Sequence, residues 1–214
     1  MTTEEGIVFF GCLVVAVILH EISHGVVALW FGDDTAKRAG RLTLNPIRHV
    51  DPFGTLVLPA MCVLAGFPAL GMAKPVPVNP TRLRRPRRDM LYVSLAGPAT
   101  NFTLMALSAL AARALFDPST VPPSFRLEDL PLVVEVLFCF ALVNLLLGAF
   151  NSLPVPPLDG SAIIERALPH SWLPAWYRFR PYGMLVLLLL VFSTGIVSTL
   201  FRPFQRELID FIFP

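Results

Sequence analysis

Residues 6–31 read GIVFFGCLVVAVILHEISHGVVALWF, an apolar run interrupted by His20, Glu21, Ser23 and His24. A stretch of ~20 apolar residues is long enough to span a bilayer as a helix, with Trp30 near its end as an interface anchor. On such a helix His20 and His24 stand one turn apart on one face, where two imidazoles can grip one metal ion. Glu21 lies one step round from His20, close enough to hold and deprotonate a water beside that metal. A three-position match can arise by accident, and a buried histidine is ordinarily a hydrogen-bonded core residue. In hydrocarbon, however, unpaired His and Glu would cost roughly several kcal/mol, so these side chains need partners there. A catalytic zinc site is therefore the leading reading.

Composition agrees with a membrane setting. The 214 residues are 55% hydrophobic and only 15% charged, against ~25% charged in a soluble domain. The length suits one domain or one membrane bundle, and we take residues 1–214 as a single membrane-embedded unit. Cys12, Cys62 and Cys139 each sit in an apolar run without metal or disulfide spacing, which marks them as small packing residues. With Glu4 and Glu5 near its start and no basic residue before Lys37, the N-terminal run does not resemble a cleavable signal.

Further apolar segments follow. Residues 32–54 are polar and glycine- and proline-broken, which predicts a loop or short strands. Residues 55–72 are apolar but carry Pro59, Gly66, Pro68 and Gly71, so they either just span or enter and return. Arg82, Arg84, Arg85, Arg87 and Arg88 form a basic cluster suited to anionic phospholipid headgroups. It is too short, and too closely flanked by apolar segments, to suggest nucleic acid. Spans are expected at about 90–115, 133–150 and 183–201, the last followed by an amphipathic tail. The fold class is thus an all-α polytopic membrane protein. It has four to five transmembrane helices, a possible re-entrant segment at 55–72, and short irregular or β loops.

Charge distribution sets the orientation. If 55–72 returns to its own side, thirteen basic residues lie on one side, and only Arg126, Arg202 and Arg206 on the other. The positive-inside rule then places four crossing helices with an extracytoplasmic N-terminus. The HEISH segment and the segment leading into Pro156-Pro157-Leu158-Asp159-Gly160 run parallel, and the metal site lies nearer the cytoplasmic face of the cell membrane.

Two histidines make an incomplete zinc site, since a catalytic one has three protein ligands and an open position. His49, His170, Glu135, Glu165 and Asp159 are the available third ligands. Asp159 is favoured because a proline-broken approach can aim its carboxylate into a cavity, with Gly160 leaving room beside it. Its bland alternative is an N-cap for the segment beginning at Gly160. Asn151 either satisfies unwound backbone or donates towards substrate and a developing oxyanion.

HEISHG, AGPATNF and NLLLGAFNSLPVPPLDG together resemble the site-2 protease family of intramembrane zinc metalloproteases. GRLTLNPIRHVDPFGT and AKPVPVNP resemble its compact, single-domain branch, and the likeness covers about residues 20–165. The resemblance implies one zinc ion on His20, His24 and Asp159, Glu21 as the catalytic carboxylate, and Asn151 assisting substrate or oxyanion. It implies hydrolysis of a peptide bond in or near a transmembrane helix of a protein substrate embedded in the lipid bilayer. Oligomeric state leaves no mark on the sequence. A metal transporter would need a continuous polar path, yet 55–72 and 183–201 hold no ionisable residue. An inactive membrane scaffold need not keep every catalytic group, and a CAAX-type protease would want a later Glu in place of PPLDG.

Overall fold

The computed structural model describes residues 3–51, 74–122, 126–194 and 196–214. Among these residues the chain consists of α-helices, short 3-10 turns and irregular segments, with no strand. Three helices among the described residues are long and apolar enough to cross a membrane: α1 (Thr3–Trp30), α3 (Pro86–Leu115) and α4 (Leu132–Asn151). A spanning segment has to satisfy its own backbone, which is why β-branched Val and Ile are helical here despite their modest propensity. Between α1 and α3 stands the single turn α2 (Thr35–Arg38).

Each helix end has a local cause. Glu4 and Glu5 in the first turn of α1 complement the positive end of its dipole. Pro86 opens α3, and Asp89 accepts from the Arg85 N–H ahead of it at 2.7 Å. Helix α4 starts behind Pro131 and stops at Asn151, because Pro154, Pro156 and Pro157 follow within six residues.

The three long helices alternate in direction. His24 of α1 meets Val93 of α3, and His20 meets Asn101, so α1 and α3 are antiparallel. Asn101 meets Asn144 while Ala109 and Ala112 pack with Phe138 and Ala141, so α3 and α4 are antiparallel too. Helices α1 and α4 therefore run parallel, as expected, with Cys12, Ala16 and Val143 packed between them. Lipid tails are as apolar as leucine, so close packing has to hold such helices together, and small residues permit it. Ala16, Ala28, Ala112 and Ala141 are fully buried at these contacts.

The connection after α1 is organised by Asp33, itself fully buried. Gly32, at φ 103°, turns the chain out of α1. Asp33 then accepts from Thr35 N at 3.0 Å, from the Thr35 hydroxyl, and from Asn79 N at 2.6 Å. Burial alone would push this carboxyl up, but the hydrogen bonds from Thr35 and Asn79 outweigh it and hold it below the usual carboxylate range. The extended residues 74–79 are thereby tied along the end of α1. Gly25, without a Cβ, admits the side chains of Leu42, Val76 and Ala36 from this connection.

After α4 come α5 (Ser161–Ala167), α6 (Leu173–Phe179), α7 (Gly183–Thr194) and α8 (Ile196–Ile212). The span expected at 183–201 is helical at each of its described residues, 183–194 and 196–201. Helix α8 is the expected amphipathic tail, and its Leu208 and Ile212 pack on Ala109, Ala112 and Phe138. The expected re-entrant segment at 55–72, with Cys62, lies outside the described residues. Of the basic cluster, Arg82 pairs with Asp34, Arg88 with Asp89, and Arg87 with carbonyls at the C-terminal end of α5.

Candidate metal centre

Helix α1 delivers His20 and His24 as an edge-to-face pair, their ring centroids 4.7 Å apart and their planes at 85°. Both are buried, at 7% and 9% exposure. Each ring has one nitrogen committed outward. His24 Nδ1 lies 2.6 Å from the Val93 carbonyl oxygen. A carbonyl only accepts, so Nδ1 carries the proton and Nε2 keeps its lone pair. His20 Nδ1 lies 2.6 Å from Asn101 Oδ1, whose Nδ2 donates to Asn144 Oδ1 at 2.8 Å. Asn144 Nδ2 in turn donates to the Phe140 carbonyl at 2.8 Å. Every proton in this relay points away from the site, which fixes His20 in the same tautomer as His24.

Asp159 arrives from the other side. Prolines 154, 156 and 157 rule out helix after Asn151, and successive turns close with Leu158 N on Val155 O (2.9 Å) and Gly160 N on Asn151 O (2.7 Å). Helix α5 begins behind Gly160 with no side-chain cap, so the N-cap alternative for Asp159 is not used. Its carboxylate goes to the histidines instead. Asp159 Oδ2 lies 3.1 Å from His20 Nε2 and 3.4 Å from His24 Nε2, while the two Nε2 atoms are 3.1 Å apart.

These three atoms converge with no proton to share. Both Nε2 atoms are lone-pair donors, and Asp159 Oδ2 is a buried acceptor without a hydrogen-bond donor. A cation resolves that conflict, and separations of 3.1–3.4 Å match the edges of a tetrahedron with bonds of about 2.0 Å, the zinc–nitrogen and zinc–oxygen scale. The donor set therefore fits a divalent metal. Among the described residues it is the one group of three His, Cys, Asp or Glu so placed.

The other candidate ligands go elsewhere. His49 Nε2 faces the Thr43 carbonyl at 2.9 Å, and His170 Nε2 faces Arg87 at 3.0 Å. Glu165 accepts from Tyr177 and Trp176, and Glu135 stands in the first turn of α4, at the end away from Asn151. Glu21 shares the turn of both histidines, and its Oε2 accepts from Val76 N at 2.8 Å. Asn151 Nδ2 donates to the Leu147 carbonyl at 3.0 Å, one turn back in α4.

The support of His20 by Asn101 is a contact that the sequence reading missed. The available signal was an amide in each of two apolar spans, Asn101 and Asn144, both fully buried here. Gly97 makes room for the histidine pair, since a Cβ there would come within 2.5 Å of His24 Nε2. Val93 offered no signal at all, because its backbone oxygen does the work.

Known proteins share this sequence at length. The chain is 39% identical over 199 residues to "Putative zinc metalloprotease YwhC" of Bacillus subtilis, covering 89% of this chain and 82% of that one. It is 34% identical over 176 residues to "Putative zinc metalloprotease Rip2" of Mycobacterium tuberculosis, covering 82% and 63%. With "Zinc metalloprotease MJ0392" of Methanocaldococcus jannaschii the identity is 26% over 165 residues, covering 77% and 35%. No family model and no solved structure matches the chain.

Proposed function

From the premise that the chain belongs to the site-2 protease family of zinc metalloproteases, we propose that it cleaves a peptide bond in or near a transmembrane helix of a membrane-protein substrate. The observation that carries this reading is the convergence of His20 Nε2, His24 Nε2 and Asp159 Oδ2 on a helix of spanning length. One zinc ion per chain on these three atoms would supply a Lewis acid and a water acidified to about pKa 7.

The chain's own residues do the rest. Glu21 takes a proton from the attacking water and returns it to the leaving nitrogen. The Val76 N–H on Oε2 holds that carboxylate on the turn it shares with the imidazoles. The Asn151 amide, released from the Leu147 carbonyl, donates to the oxyanion as it forms. Asn101 and Val93 keep both imidazoles in the lone-pair-inward tautomer throughout. The substrate helix has to unwind locally, because its carbonyls are hydrogen-bonded and shielded until it does.

The protein works as a single-domain, multi-pass protein of the cell membrane, with the bilayer and a membrane-protein substrate as its partners and no nucleic acid. Its site lies nearer the cytoplasmic face. Zinc analysis of purified protein, wild type against Asp159→Ala, alongside cleavage of a model transmembrane substrate, tests the reading. About one zinc per chain with cleavage is expected for wild type, and loss of both for the variant. Cleavage by Asp159→Ala at the wild-type rate would overturn it.

A further inference from the structure

Two of the three donor arms stand on a continuous helix, but Asp159 stands on a run of turns. Helix α3 already fixes the first two, through the Val93 carbonyl on His24 and the Asn101 amide on His20. It also reaches the third. The Arg87 guanidinium, at the start of α3, donates to the carbonyls of Glu165 (3.1 Å), Arg166 (3.2 Å) and Leu168, and stands 3.0 Å from His170 Nε2. These carbonyls close the C-terminal end of α5, where the last oxygens lack intrahelical donors and the dipole favours a cation.

Helix α5 has seven residues, so its two ends are only about 10 Å apart. Asp159 lies just ahead of the near end. There Gly160 N donates to Asn151 O at 2.7 Å, and the backbone is so close that a Cβ on Gly160 would come within 2.6 Å of the Leu153 carbonyl oxygen. Arg87 holds the far end. The Glu165 side chain is meanwhile turned to α6 and the residue just beyond it, accepting from Tyr177 at 2.9 Å and facing Arg180 at 3.6 Å, which ties α5 to α6. The strap that carries Asp159 is therefore tied to α4 at one end and to α3 at the other.

We infer that Arg87 is a positioning residue of the metal centre: by clamping the end of α5 to α3, it sets the reach of Asp159 towards His20 and His24. This rests on the reading that those three residues hold a metal. A lysine would not serve equally, because a single ammonium cannot reach both the carbonyls that face Arg87 Nη2 and the His170 ring that faces Nη1, as the guanidinium fork does.

The test uses the full chain in detergent. Zinc affinity is read by competition with a chromophoric chelator, ligand geometry by the visible spectrum of the cobalt-substituted protein, and stability by Tm with and without zinc. Arg87→Ala should bind zinc about 10- to 100-fold more weakly, the scale of losing an outer support of a metal ligand. Its cobalt spectrum should move towards that of Asp159→Ala, and its zinc-induced rise in Tm should shrink. Arg87→Lys should fall between Arg87→Ala and wild type. Arg82→Ala, which removes a neighbouring charge that pairs with Asp34 instead, should match wild type in all three readouts. Zinc binding by Arg87→Ala within twofold of wild type, with an unchanged cobalt spectrum, would overturn the inference, as would equal losses in Arg82→Ala. Should Arg87→Ala not fold, Arg87→Lys is judged by the same comparison. A wild-type protein that binds no zinc would overturn both this inference and the metal reading beneath it.

Discussion

Glu21 stands beside two histidines yet faces a different partner, the Val76 N–H, and that separation of contacts gives it a separable role. Glu21→Gln should keep the zinc content of wild type and lose proteolysis by about 10²- to 10⁴-fold, the usual contribution of a general base. Measured cleavage near the wild-type rate would remove the assignment. Asn151 is judged on a different scale. Its amide now serves the Leu147 carbonyl, and if it turns to the oxyanion, Asn151→Ala should lower turnover by roughly 10- to 1000-fold at unchanged zinc content. A variant that is poorly folded but fully active per folded molecule would leave Asn151 only its helix-end role. His20, Glu21 and His24 were legible from spacing alone, because a helix of fixed pitch decides which side chains share a face. Asp159 was legible as one of several candidates, and only its approach through prolines favoured it. The Asn101–His20 contact was not legible, since the partners lie 81 residues apart and meet only once two helices have chosen their register.

Among the elements, the extended residues 74–79 show how a polar segment is held where no helix or sheet can hold it. Glu21 takes Val76 N, Asp33 takes Asn79 N, and Arg41 donates to the Lys74 carbonyl at 2.6 Å. Asp33 ionises below the usual carboxylate range because its hydrogen bonds outweigh its burial. The stabilisation it provides is therefore complete above the unfolded-chain pKa of about 3.9, and is lost as pH falls through the lower folded value. Asp33→Asn should lower Tm by about 2–8 °C at neutral pH. It should also flatten the fall of Tm below pH 4, so that wild type and variant converge in acid. A constant gap between the two curves down to pH 2.5 would refute the role. The spans 6–31, 90–115 and 133–150 were legible because a hydrocarbon solvent admits only one kind of backbone. The fate of the basic cluster was not: Arg82, Arg87 and Arg88 are used inside the protein, and charge counting cannot tell an internal clamp from a lipid contact.

For the whole molecule the decisive facts are directions. Helices α1 and α3 are antiparallel, so the end of α1 and the start of α3 lie on one side, as Arg84 N on the Phe31 carbonyl shows at 3.1 Å. The flanks of 52–73 also lie together, with Lys74 N on the His49 carbonyl at 2.9 Å. Ten of the seventeen basic residues fall in 32–89 and three more in 151–182, after the parallel helix α4. With Arg113 inside a span, only Arg126, Arg202 and Arg206 remain for the opposite side. A bias of that size is what the positive-inside rule expects if residues 32–89 face the cytoplasm, the orientation we propose. That orientation would put His20 and His24, in the second half of α1, and Asp159, beyond the end of α4, towards the same face. In a background lacking Cys12, Cys62 and Cys139, Arg48→Cys and Arg84→Cys should both react with a membrane-impermeant maleimide only in inside-out vesicles. Arg126→Cys should react only in right-side-out ones. Labelling of Arg48→Cys and Arg84→Cys from opposite sides would mean that the chain between them crosses the membrane, and the antiparallel arrangement of α1 and α3 would fall with it.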